Sequence, residues 1–302
     1  MPVSAPITNI TRGSLHDGPG VRTVVYFKGC RLNCKWCHNP ETLSFRKQIL
    51  YIQSKCIHCG KCVELCPHHH KIQGNDMVFI REGCTACGKC VSECPSLALI
   101  LCGEDMTVDE AFNEIKKDDH YFAASGGGVT FSGGECLLYP DFLREVAKKC
   151  NENKIHTAIE SAFFVPWENV QRVLPFIDLF FVDLKIPYPE KHRKYTGQDN
   201  ILIIENITKL SKEHSNIILR IPVIPGVNDS DDDIEAFAKI IKTFGKGIKE
   251  IELLKYNNLA KSKYDFAGKE YTRFSERVQT NEEMQKLCSS LKEKCNKDCY
   301  FI

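Results

Sequence analysis

The chain has no run near 18 apolar residues and no Arg-led apolar segment at its start. Neither a membrane-spanning helix nor a secretory signal is therefore expected. It has almost no net charge, +1 at pH 7 from 40 basic and 39 acidic residues. That gives no global pull toward nucleic acid or a membrane, although it leaves room for a local basic patch. It has no low-complexity tract, and no repeat beyond one paired cysteine motif. Hydrophobic content of 43% and charged content of 26% over 302 residues describe a globular protein of one large or two modest domains.

Cysteine is what the chain has in excess, with 17 residues. A short secreted protein with so many would be read as a disulfide framework. This chain is long, has no secretion signal, and gathers eleven of its cysteines into three tight motifs. Metal ligation in a reducing compartment, most simply the cytoplasm, is the better reading.

Cys30, Cys34 and Cys37 form one motif, C-x3-C-x2-C, in the run Phe27 to Asn39. A cubane iron–sulfur cluster normally takes four thiolates. Three would leave one iron open, and open metal positions are where substrate chemistry takes place. Cys56, Cys59, Cys62 and Cys66 precede Pro67, and Cys84, Cys87, Cys90 and Cys94 precede Pro95. Both runs are C-x2-C-x2-C-x3-C-P, the bacterial ferredoxin pattern, in which the fourth cysteine serves the other cluster. One cluster should then take Cys56, Cys59, Cys62 and Cys94, and the other Cys84, Cys87, Cys90 and Cys66. Gly60 and Gly88 give those loops backbone freedom. A pair of zinc knuckles is the bland alternative, but zinc sites usually set two ligands against two. Filled clusters suit electron transfer or a structural role. Of the other six cysteines, Cys102, Cys136, Cys150, Cys288, Cys295 and Cys299, buried free thiols are the preferred reading.

The cysteine-rich stretch, residues 47–103, reads as an insert. An apolar β-type run at residues 21–27 precedes it. Alternating strands and helices follow, with strands near 129–131, 155–159, 179–184, 217–224 and 248–254. Helices are expected from about 107, after Asp141, near 167–174, and over 201–213, 231–244 and 281–292. These six βα-type units argue for a parallel sheet with helices outside. Periodicity leaves an open doubly wound sheet and a barrel equally possible. In a barrel, functional residues gather at the C-terminal strand ends.

The three-cysteine loop and the following His38-Asn39-Pro40-Glu41 resemble the radical S-adenosylmethionine superfamily. Residues Gly13 to Thr23, GSLHDGPGVRT, resemble the N-terminal signature of glycyl-radical-enzyme activating enzymes. Further matches are Thr130 to Glu135, Asp183-Leu184-Lys185 and Arg220 to Gly226. The resemblance covers nearly the whole chain. It implies an incomplete (β/α)6 TIM-like barrel, residues 1–46 and 104–302. The inserted ferredoxin-like domain, residues 47–103, would carry two [4Fe-4S] clusters beside the site-differentiated third.

The implied activity is reductive cleavage of S-adenosylmethionine to methionine and a 5′-deoxyadenosyl radical. That radical takes hydrogen from a backbone glycine of a partner glycyl radical enzyme, a lyase, dehydratase or decarboxylase. Expected partners are that enzyme and a one-electron donor such as flavodoxin or ferredoxin, with no nucleic acid, no membrane and a monomeric state. By resemblance, Gly133-Gly134-Glu135 meets the methionyl ammonium, although this chain has Cys136 where the family has Pro. Lys185 suits the methionyl carboxylate, and Asp183 an ammonium or a nearby monovalent cation. Glu160 and Ser161 take the place of a family Asp-Thr pair at such a cation site. Arg220, a lone charge in an apolar strand, must be paired and by resemblance contacts S-adenosylmethionine. Asp17 should help position the partner's glycine loop. His192 lies in an H-x3-T-G stretch counted with the cofactor contacts. Trp36 either stacks near the cluster or simply packs. A family histidine after the last strand has no match at Asn257-Asn258.

The bland readings are a Gly-rich turn, a local Asp183–Lys185 ion pair, a turn-forming Asp17 and a surface His192. Two other functions compete: an iron–sulfur electron carrier with a non-catalytic barrel, and a radical enzyme acting on a small molecule.

Overall fold

The computed structural model describes residues 2–302. A nine-stranded sheet organises the chain. Across the sheet the strands run Asp298–Phe301, Ile248–Leu254, Ile217–Pro222, Leu179–Asp183, His156–Ser161, Gly128–Gly133, Arg22–Phe27, Ser4–Ser14 and Glu104–Thr107. The first seven in that order are mutually parallel. Ser4–Ser14 is antiparallel to both of its neighbours. Among the described residues the two edge strands do not pair, so the sheet stays open. All six expected strands are present. Three further strands carry no clean alternation. Ser4–Ser14 buries little beyond Ala5 and Ile7, so its polar residues mask the period.

Alternation divides each parallel strand between two faces. Phe180 and Val182 pack outward into the main core, beneath the helices. Leu179 and Phe181 face the concave side, in a small cluster with Ala158. Helix starts follow local chemistry. Thr107 and Glu110 form a reciprocal capping box, as do Ser230 with Asp233 and Thr280 with Glu283. Such caps contribute about 1 kcal/mol each. No helix among the described residues is long and apolar enough to cross a membrane.

Segment 47–103 leaves and returns on one antiparallel ladder, Gln48–Tyr51 with Leu99–Cys102. It holds a second hairpin, His70–Gln73 with Asp76–Phe79, and two short helices, Lys61–Leu65 and Lys89–Ser92. Its small core of Ile49, Met77, Phe79, Ala86, Cys90 and Leu99 is separate from the main one. Gly60 (φ 78°) and Gly88 (φ 81°) take the left-handed conformation just before the short helices. That conformation is cheap only for glycine.

Candidate active site

The cysteine loop follows the strand Arg22–Phe27 and is pinned on three sides. Gly29 N–H donates to the Thr42 carbonyl at 2.7 Å, and Cys30 N–H to that of Leu43 at 3.2 Å. Asn33 and Lys35 N–H groups donate to the carbonyls of Thr196 (2.7 Å) and Tyr195 (3.0 Å), at the end of the helix Pro189–Thr196. Gly133 and Gly134 close the third side. A Cβ on Gly133 would stand 2.3 Å from the Phe27 nitrogen, and one on Gly134 2.3 Å from the Gly29 oxygen. The glycines are thus required first by the chain's own backbone. Gly134→Ala is expected to push the loop aside and destabilise the protein by roughly 1–3 kcal/mol. Denaturant unfolding checks this, with a wild-type midpoint as the contrary result.

The three thiols line a cavity of about 220 Å³ at the C-terminal strand ends. Trp36, Gly133, Gly134, Glu160, Asp183, Lys185 and Arg220 share its wall. Cys34 is buried, Cys30 and Cys37 partly so, and all are free. Burial pushes each thiol up, Cys37 to about 12. A thiol held protonated in such surroundings releases its proton when its sulfur binds a strong Lewis acid, so the trio suits metal binding better than free thiolate chemistry. Trp36 lines the cavity and packs edge-on against Phe274 at 5.9 Å.

Opposite the cysteines, strand register places charges in one row. Asp183 pairs with Arg220, and Arg220 with Glu252. The Arg220 guanidinium donates to Glu160 through Nη1 and to Glu252 through Nε, and reaches the His16 carbonyl at 3.1 Å. It lies 3.7 Å above the Phe181 ring. Burial lowers its pKa, but Glu160 and Glu252 outweigh that and hold it above the ordinary arginine value. Lys185 Nζ meets Asp183 Oδ2 at 2.7 Å, both on the cavity wall. Burial opposes the Lys185 charge, yet Asp183 and Cys34 raise its pKa overall.

Glu135 is placed differently from the sequence expectation. Its carboxylate is buried and does not line the cavity. It accepts from Ser161 Oγ at 2.7 Å and from the N–H groups of Leu137 and Ala162 at 3.2 Å. Burial pushes it up to about 7 against those bonds. Its folded pKa therefore lies above the unfolded value of 4.5. The associated stability is full at low pH and declines as pH rises toward about 7. Glu135→Gln should remove that decline. Anaerobic urea unfolding near pH 5 and near pH 8 reads it, and an unchanged difference would refute it.

His192 is neither on the surface nor on the cavity wall. It is buried, with Nδ1 donating to the Gln198 carbonyl at 2.6 Å and Nε2 unpartnered. It fixes the helix end whose carbonyls hold the cysteine loop. Asn257 Oδ1 accepts from the Leu259 N–H at 2.8 Å, and Asn258 Nδ2 donates to the Glu276 carbonyl at 3.1 Å. The apolar wall of Pro222, Ile224 and Leu254 is a feature that sequence reasoning missed.

The Asp17 carboxylate accepts from Ser14 Oγ. Its backbone is tied down in sequence: Arg22 Nε donates to Thr130 Oγ1 at 3.0 Å, which donates to the Asp17 carbonyl at 2.6 Å. The neighbouring His16, Gly18 and Pro19 line a second cavity of about 310 Å³, which shares Arg220 with the first.

In segment 47–103, Cys56, Cys59, Cys62 and Cys94 line one small cavity. Burial raises Cys62, and neighbouring Cys56, Cys59 and Cys94 add to it. Burial raises Cys90 to about 11, with Cys84, Cys66 and Cys87 adding. Cys94 of the second run thus sits with Cys56, Cys59 and Cys62 of the first. Among the described residues, no three His, Cys, Asp or Glu side chains converge on a single metal ion. A cubane is a different case, because each thiolate binds its own iron. Cys288 and Cys295 are core residues with Cys299 packed against them.

Three comparisons bear on this arrangement. The model of the radical SAM superfamily matches residues 24–239. The (2S)-3-sulfopropanediol dehydratase activating enzyme of Klebsiella oxytoca is 43% identical over 272 residues, 88% of this chain and 86% of the relative. The trans-4-hydroxy-L-proline dehydratase activating enzyme of Clostridioides difficile is 43% identical over 267 residues, covering 88% of each chain. Among solved structures, a domain of a pyruvate-formate lyase-activating enzyme from Bacteroides vulgatus aligns with TM-score 0.50 and 27% identity, over 59% of this chain and 99% of that domain. The chain belongs to the radical SAM superfamily and, within it, to the activating enzymes of glycyl radical enzymes, oxidoreductases that use S-adenosylmethionine and a [4Fe-4S] cluster.

Proposed function

We propose that this chain installs a glycyl radical on a large lyase, dehydratase or decarboxylase, using one cluster at Cys30, Cys34 and Cys37 and two more in segment 47–103. The single observation that carries the reading is the 220 Å³ cavity, lined by three free thiols, one buried and two partly so, together with Lys185 and Arg220. When bound, a reduced cluster and S-adenosylmethionine supply the carbon-centred radical that removes the glycine hydrogen. The residues do the rest. Three thiolates leave one iron open. Lys185, on the cavity wall, would hold the methionyl carboxylate. The Ser132–Gly134 backbone is on hand for the ammonium, since the Glu135 side chain is turned away. Pro222, Ile224 and Leu254 offer an apolar wall for the purine. Arg220 keeps Glu160 and Glu252 neutralised at the junction of the two cavities. The second cavity, roofed by the Asp17 loop, is where the partner's glycine segment would enter.

A monovalent cation does not fit the donor set. Asp183 is paired with Lys185, Glu160 with Arg220, and Ser161 with Glu135. All seventeen cysteines are free, which suits a reducing cytoplasm. An electron donor of the flavodoxin or ferredoxin class and a monomeric chain complete the reading. An electron carrier with an idle barrel does not account for the three-thiol cavity.

Asp17→Asn separates the roles. S-adenosylmethionine cleavage without partner should stay near the wild-type rate, while partner radical measured by EPR falls. Undiminished partner radical would remove Asp17 from partner positioning.

A further inference from the structure

We infer that the two quartets stand in a fixed series. The Cys56, Cys59, Cys62, Cys94 site is outermost and the Cys66, Cys84, Cys87, Cys90 site lies between it and the Cys30–Cys37 loop. A single electron enters at the outer site and leaves through the inner one. This rests on the reading of both quartets as iron–sulfur sites.

The ladder gives the direction. Its root is the Gln48–Cys102 pair and its tip the Tyr51–Leu99 pair. At the root, Cys102 Sγ lies 3.7 Å from Lys28 Nζ, and Lys28 directly precedes the cysteine loop. Leu101, one rung from the root, comes within 3.6 Å of the Cβ position of Gly88, inside the inner motif. Leu99, at the tip, lines the cavity of the outer quartet. Two strand residues separate these levels by about 7 Å.

A second contact agrees. Cys84 N–H donates to the Arg81 carbonyl at 3.1 Å, and Arg81 Nη2 donates to the Phe266 carbonyl at 2.7 Å. Phe266 lies in the helix Lys261–Ala267. That helix holds the cysteine-loop region through Lys263, which donates to Asn39 Oδ1 at 2.7 Å. It also carries Tyr264, buried and with its hydroxyl unpartnered. The inner motif thus touches a helix that touches the active loop. Only residues of the insert line the outer quartet's cavity.

Each quartet has one exposed thiol, Cys59 and Cys87, and what sets the outer site apart is its rim, where Ile57 (62%) and Ile72 (56%) are unusually bare. Lys61 and Lys71 are exposed alongside. An apolar pair flanked by lysines fits a small, acidic, one-electron carrier. The balance is simple: the carrier is oxidised by one electron, each insert cluster is reduced and reoxidised in turn, and the active cluster is reduced.

Stopped-flow and freeze-quench EPR on the reconstituted full chain test this, with reduced flavodoxin as donor and dithionite as the control reductant. Cys59→Ala and Cys87→Ala should each lose the fast phase of active-cluster reduction by flavodoxin, while reduction by dithionite persists. Ile57→Asp with Ile72→Asp should keep wild-type iron and EPR signals but need more flavodoxin for the half-maximal rate. A Cys59→Ala protein that keeps the fast phase, or a double variant with unchanged flavodoxin dependence, would overturn the order. A wild-type protein with only the active-site cluster by iron count and EPR would instead overturn the reading of the insert on which the order rests.

Discussion

Cys34→Ala should abolish S-adenosylmethionine cleavage, measured as 5′-deoxyadenosine formed by the reduced protein. Cys34 is the buried member of the trio, and its neighbours Cys30 and Cys37 are on the same cavity wall. Two thiolates hold a cubane poorly, and the Asp183 carboxylate is already paired with Lys185. A loss of roughly a thousandfold or more is expected, equivalent to about 4 kcal/mol of barrier. Iron content should fall from about twelve to about eight per chain, since the insert quartets are untouched. A variant that keeps its cleavage rate would exclude the trio from the chemistry.

The second large effect is on stability. Arg220→Met removes the one cation shared by Glu160 and Glu252. Breaking a buried pair by deleting one partner costs about 3–5 kcal/mol, because a buried charge is left uncompensated. The loss has a pH signature. Burial already pushes Glu160 up despite Arg220. Without the guanidinium its folded pKa rises further above the unfolded value, so the variant is least impaired below the unfolded carboxylate range. Its stability then falls as pH rises through the raised value. Anaerobic urea unfolding at several pH values checks both parts. A midpoint within about 0.5 kcal/mol of wild type, typical of surface substitutions, would contradict the buried-triad account.

Most of the parallel strands of the main sheet were legible because each is a short apolar run between turn signals. The three cysteine motifs were legible because their spacing is local in the chain. Arg220 was legible as a charge needing a partner, but the partner was not. Glu252 sits in the strand Ile248–Leu254 in the same way, a charge in an apolar run, and would have repaid the same question. Its pairing depends on register between strands some 30 residues apart, which no local pattern contains. The Glu135 result has a similar cause. The motif located the residue, while its side-chain direction was set by Ser161 and the N–H groups of Leu137 and Ala162. His192 became a positioning residue through the helix end it stabilises, a tertiary fact. The clasp of the cysteine loop by Tyr195 and Thr196 runs through backbone carbonyls and leaves no trace in residue identity.

The most direct test of the account is EPR on an anaerobic mixture of this chain, S-adenosylmethionine, reductant and a purified glycyl radical enzyme as candidate partner. The account predicts an organic radical on that partner's backbone glycine. It should require S-adenosylmethionine, be lost with Cys34→Ala, and lose its α-hydrogen splitting when the partner is made with deuterated glycine. Full S-adenosylmethionine cleavage with no partner radical would contradict it.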